Sequence, residues 1–239
     1  MSHRNSLIKK NRELSKPLDI FNVGFVGGVG SGGAVDETRG VFGGGYSSYV
    51  NGPNYSGYAV MDVIDYITVA TLGNATNFGV LSFGTHGRSN LAGVSSDTRG
   101  VFGGGQYPNS LVMDYITIAT TGNTTAFGDL SVARYNLAGV SSSTRGVFGG
   151  GYAEGQYGGG SNVMDYITIA TTGNATDFGD LTVARRFFAG VSSSTRGVFG
   201  GGPTNQCVMD YITIATTGNA TDFGDLTTAH RSNLAGVSA

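Results

Sequence analysis

The 239-residue chain has one cysteine, no tryptophan, four prolines and only three lysines. A lone cysteine, Cys207, excludes an internal disulfide and a cysteine metal cluster. No run of about 18 apolar residues is present, which argues against a membrane-spanning helix. The N-terminal stretch MSHRNSLIKKNRELSKP has no apolar core of signal-peptide length, so synthesis in the cytoplasm without a secretion signal is expected. Charged residues make up 13% of the chain and the net charge is −2, which gives no general attraction to nucleic acid or acidic membranes. The three histidines stand in unrelated positions, which gives little support to a zinc site or a Ser-His-Asp triad. Gly28, Gly30 and Gly33 satisfy G-x-G-x-x-G, but no helix pattern follows them, so a nucleotide cradle is not expected. No cofactor and no metal is expected.

What the chain has in excess is glycine, 42 residues without an every-third period, which excludes collagen. Val, Ile, Phe and Tyr lie between the glycines and helix formers are scarce, so the reading is all-β. Four blocks recur four times each. TRGVFGGG carries its arginine at Arg39, Arg99, Arg145 and Arg196. DYIT begins at Asp65, Asp114, Asp165 and Asp210. Phe-Gly recurs at Phe78, Phe127, Phe178 and Phe223. LAGVS or FAGVS begins at Leu91, Leu137, Phe188 and Leu234. The copies lie 45 to 51 residues apart, the length of a propeller blade.

Each block reads as a strand, in blade order LAGVS, RGVFGG, DYITIA and DFGDL. The third is apolar on both alternating faces, so both must be covered, as stacked blades do. The fold expected is a four-bladed β-propeller over residues 38–239. The last LAGVS is expected to pair with Thr38–Gly45, closing the ring as a Velcro strand. Two chains exchanging termini to make eight blades is the rival closure. Arg145 with Asp165 is expected to form a buried pair tying the second strand to the third.

The copies vary unevenly. First-to-second and third-to-fourth turns hardly change, whereas the other two connection classes differ in length and content. In an antiparallel blade both variable classes fall on one side of the disc. They carry Tyr46, Tyr49, Tyr55, Tyr58, Tyr107, Tyr152 and Tyr157 among Asn, Ser and Gly. Beside them are His86, Arg88, Arg134, Tyr135, Arg185, Arg186, Phe187, His230 and Arg231. Tyrosine supplies rigid amphipathic contact area, so these sixteen residues form the expected ligand-binding face. Catalytic residues are not expected: a glycan-cleaving site needs paired carboxylates, and the variable loops offer Glu154 alone. Asp177 and Asp180 with Asn174 have calcium-turn chemistry, though such residues more often bond the backbone.

Residues 1–20 concentrate cations at Arg4, Lys9, Lys10, Arg12 and Lys16 and are expected to be a docking arm, with 21–37 a glycine-rich joint.

The order Gly149-Gly150, Tyr166, Phe178, Leu181, Arg185 resembles a kelch repeat, with phenylalanine in place of the usual tryptophan. The wording of the repeats is also similar to repeat proteins of tailed bacteriophages, especially those of marine cyanobacteria. That resemblance implies a protein of the virion; the cationic arm would dock it, as a non-enzymatic part of an oligomeric assembly, to another virion protein. The variable face would then meet a host glycan or surface protein, without nucleic acid or membrane insertion. A purely structural capsid or tail decoration protein is the alternative.

Overall fold

The computed structural model describes residues 24–27, 39–47, 59–82, 87–106, 109–153, 160–203 and 207–238. Every regular element among them is a β-strand. The first repeat forms β1 (Gly24–Gly27), β2 (Arg39–Gly43), β3 (Tyr46–Ser47), β4 (Ala59–Val60), β5 (Val63–Thr68) and β6 (Thr76–Val80). The second forms β7 (Ala92–Ser95), β8 (Arg99–Gly103), β9 (Val112–Thr117) and β10 (Thr125–Asp129), followed by β11 (Arg134–Tyr135). The third forms β12 (Ala138–Ser141), β13 (Arg145–Gly149), β14 (Tyr152–Ala153), β15 (Ser161–Thr168) and β16 (Thr176–Arg185). The fourth forms β17 (Ala189–Ser192), β18 (Arg196–Gly200), β19 (Val208–Thr213) and β20 (Thr221–Asp225).

These strands build four antiparallel four-stranded sheets, β1-β2-β5-β6, β7-β8-β9-β10, β12-β13-β15-β16 and β17-β18-β19-β20. The four sheets are the blades of a four-bladed β-propeller. Each recurring block except the last LAGVS occupies the strand expected of it, because β-branched and aromatic residues alternate between turn-forming glycines. The first strands of successive blades stack side by side, β1 on β7, β7 on β12 and β12 on β17.

The hydrophobic core lies between blades. Val41, Ile64, Phe78 and Leu81 of blade 1 meet Leu91, Phe102, Ile116 and Ile118, in blade 2 and the loop leading to it. The same residue types repeat from blade 2 to blade 3 and from blade 3 to blade 4. In blades 2 and 3 the third strand is therefore covered from both sides, which explains why DYITIA is apolar on both faces.

The Phe-Gly block is a β-bulge. In blade 3, Met164 pairs with Gly179 and Asp165 with Asp177, leaving Phe178 out of the ladder. The bulged ring packs edge-on to Tyr166, with centroids 6.0 Å apart. Gly179 follows at φ 132°, a conformation an L side chain resists. A Cβ there would also sit 2.5 Å from the Gly218 backbone of blade 4.

Two expected pairings are replaced by others. The first strand of blade 1 is not Leu234–Ser238: β1 pairs with β2 across Gly24↔Gly43 to Gly27↔Gly40. Thus the segment expected to be a joint, 21–37, contributes a strand, and the C-terminal segment is left outside the blade 1 sheet. Arg145 does not pair with Asp165. Its guanidinium lies 4.4 Å over the Tyr166 ring and donates to Ile214 O of the next blade at 3.1 Å. The carboxylate is already taken by Arg134.

Candidate functional site

The two variable loop classes do meet on one side. Gly45 N donates to Arg88 O at 2.9 Å, and Gln106 and Ser89 form a bridge between adjoining loops. The two-stranded β11–β14 sheet joins the loop after blade 2 to the loop inside blade 3. Within each blade the conserved-length turns meet each other instead, as in Ile169 N donating to Thr144 O at 2.9 Å. Strand direction explains the sorting: alternate turns of an antiparallel sheet leave at opposite ends.

Of the sixteen expected ligand residues, Tyr49, Tyr55, Tyr58, Tyr107, Tyr157 and His86 lie outside the described residues, as does the docking arm with Arg4, Lys9, Lys10, Arg12 and Lys16. Three others are corrected by burial. Arg88, Arg134 and Arg185 are fully buried and cannot present themselves to a ligand. Arg134 Nη1 donates to Gly150 O at 2.7 Å and Val163 O at 2.6 Å, and Nη2 donates to Asp165 Oδ2 at 2.5 Å. Arg185 repeats this with Asp210 at 2.7 Å, and Arg88 with Asp114. A second hydroxyl completes each carboxylate: Ser82 donates to Asp114, Ser131 to Asp165 and Thr182 to Asp210. Burial pushes each guanidinium below its ordinary pKa, while the facing carboxylate pulls it back up. These arginines fasten each blade to the next. The sequence signal was present: an Arg at one constant position in each loop that follows a fourth strand, Arg88, Arg134, Arg185 and Arg231, and one Asp per DYIT.

What remains accessible is a cluster built by β11, β14 and the end of β16. Tyr135 and Tyr152 sit with ring centroids 5.1 Å apart at 50°. Arg186 places its guanidinium 5.1 Å from the Tyr152 centroid and 5.5 Å from that of Phe187. The Arg186 Nε is without a hydrogen-bond partner among the described residues. Phe187, at φ 56°, takes the left-handed position that asparagine holds at Asn90, Asn136 and Asn233. The four side chains are half-buried, so part of each faces solvent. Tyr46 in β3 is also half-buried, and His230 and Arg231 are exposed. Aromatic faces beside a guanidinium can stack on the C–H face of a sugar while offering charged hydrogen bonds to a carboxylate.

A second concavity, missed in the sequence, runs along the stacked first strands. It encloses about 330 Å³ between Leu91–Ser95, Leu137–Ser141, Phe188–Ser192 and Leu234–Ser238. Its wall is a hydroxyl ladder: Ser95 N donates to Ser141 Oγ and Ser141 N to Ser192 Oγ, both at 3.3 Å. Small residues are needed there because a Cβ at Gly139 would lie 2.5 Å from Gly93 O.

The Cys207 thiol is pushed up by its hydrogen bond to Asp225 and by desolvation, which disfavours the reactive thiolate. Among the described residues no group of three or more His, Cys, Asp and Glu is placed to hold a metal. Asn174 Oδ1 accepts from Asp129 N of blade 2 at 3.0 Å and Asp177 Oδ1 from Gly179 N at 3.1 Å, so both bond backbone, the first across a seam and the second within its own bulge. No family model matches the chain, and no curated protein matches it.

Proposed function

We propose that this protein is a non-enzymatic binding module of a virion or similar surface assembly, presenting its variable-loop side to a host-surface glycan. The observation that carries the reading is the accessible Tyr135–Tyr152–Arg186–Phe187 cluster among loops that differ between otherwise near-identical blades. Rigid scaffolds with variable loops are where recognition concentrates. Enrichment of Tyr and Arg is the composition of contact surfaces. The residues 1–20, with their five cations, supply docking to a virion protein in this reading.

A glycan array with the purified protein tests it. The wild type binds a subset of glycans. Tyr152→Ala and Arg186→Ala each weaken binding at least tenfold, about 1.4 kcal/mol. Both leave the thermal midpoint nearly unchanged, as half-buried surface positions do. A wild-type protein that binds no glycan overturns the reading.

A further inference from the structure

Three blade-to-blade seams lie inside the chain, and the two halves of a fourth lie open at its ends. On blade 1, Val69 is 58% exposed, whereas its equivalents Ile118, Ile169 and Ile214 are at most 5% exposed. On blade 4, Phe223 is 47% exposed, against at most 3% for Phe78, Phe127 and Phe178. The three buried arginine–aspartate pairs lie at the three internal seams. Had each blade turned the array by a quarter circle, these faces would have met.

We propose that a second copy of this chain makes the missing seam. Blade 4 and Leu234–Ser238 of each copy dock on blade 1 of the other, closing eight blades head to tail. The parts match residue for residue. Arg231 is exposed, yet its carbonyl accepts from Gly202 N at 2.8 Å as Arg185 O accepts from Gly151 N at 2.8 Å. Its backbone is therefore set like that of the three buried arginines, and the carboxylate it lacks is Asp65 of the second copy. Asp65 is half-buried, while Asp114, Asp165 and Asp210 are buried with their arginines. Arg196 already lies 4.7 Å over Tyr211, as Arg145 lies over Tyr166. Its missing acceptor corresponds to the Val69 carbonyl, as Ile214 O serves Arg145.

The inner strand decides the partner's fit. Leu234–Ser238 continues the stacked series, since a Cβ at Gly236 would lie 2.9 Å from Gly190 O, as one at Gly190 would lie 2.6 Å from Gly139 O. At that register position β1 has Phe25, opposite Phe42 as Gly190 is opposite Phe199. When the seam closes, Leu234–Ser238 of the other copy takes the place of β1 beside β2. A head-to-tail contact either closes or grows into a filament, and two copies reach eight blades, within the range propellers use.

Light scattering on the full chain tests this, with circular dichroism confirming each variant's fold. The wild type has twice its chain mass of 24.5 kDa. Arg231→Asp and Asp65→Arg are each monomeric. An equimolar mixture of the two regains the dimer, because both seams then join opposite charges. A monomeric or filamentous wild type, or a mixture that stays monomeric, overturns the proposal. Should Asp65→Arg not fold, a cross-link decides. Ala175 N donates to Asp129 O across a seam at 2.8 Å, so Ala75 and Asp225 of two copies correspond. With Cys207→Ser, the Ala75→Cys/Asp225→Cys protein forms a disulfide-linked dimer on a non-reducing gel, and monomer mobility overturns the proposal.

Discussion

Burying Arg134 against Asp165 takes two charges out of water, a cost that the partners of Nη1, Nη2 and the carboxylate offset, while Arg134 Nε has none among the described residues. Here the guanidinium reaches two carbonyls as well as the carboxylate, and Ser131 serves the second carboxylate oxygen at 2.6 Å. Removing one member leaves the other charge stranded in the seam. Arg134→Met is expected to lower unfolding free energy by about 3–5 kcal/mol. Adding Asp165→Leu is expected to regain most of that loss, because an apolar pair of similar volume has no stranded charge. Urea unfolding of the two variants checks both statements. An Arg134→Met loss below about 1 kcal/mol would mean the pair contributes no fastening. Arg186 differs by a single position in the chain from buried Arg185, yet it stacks on Tyr152 at the surface, which is why one is structural and the other a candidate contact.

At the level of the strand, the bulge at Phe178 sets two things together: the aromatic enters the seam and the following glycine approaches the next blade's turn. Gly173, in the turn of the same blade, has nothing within 4 Å of a built Cβ. Gly179→Ala must both hold a left-handed φ and push against Gly218, whereas Gly173→Ala meets open space. The first substitution is expected to destabilise by about 1–3 kcal/mol more than the second, from overpacking alone. Thermal unfolding of the two variants decides this, and equal midpoints would remove the close-approach explanation. The stacked first strands follow the same logic, with glycine at Gly139, Gly190 and Gly236 wherever a neighbouring carbonyl stands in the way of a Cβ.

For the whole molecule, stability approximates a sum over blades and seams, so equivalent residues should count according to how many seams they serve. Phe148 is fully buried over Gly103, whereas Phe42 is 37% exposed on the outer face of blade 1. Phe148→Ala is expected to cost about 3–5 kcal/mol of unfolding free energy. Phe42→Ala is expected to cost less than half of that in dilute protein and to weaken self-association instead. Denaturation at low concentration, set beside the mass at high concentration, separates the two effects. Equal losses for both variants would contradict a seam that is open at the chain's ends.

The sequence by itself determined the four strands of blades 2, 3 and 4, the last three of blade 1, and their order. It also determined the segregation of varied from unvaried turns. These follow from alternation, turn glycines and strand direction, all of which are local. Three things needed the tertiary structure. The partner of Asp165 was one, since Arg145 and Arg134 both recur once per repeat and only blade-to-blade packing brings Arg134 to the carboxylate. The first strand of blade 1 was another. Gly24–Gly27 shares only Val26 with the LAGVS pattern in register, too little to stand out, and its pairing with β2 depends on which edge lies near. The last was the accessible cluster: Arg185 and Arg186 are neighbours in the chain, and burial alone sorts them. Contacts between segments far apart in sequence follow from how blades stack, and no single repeat carries that information.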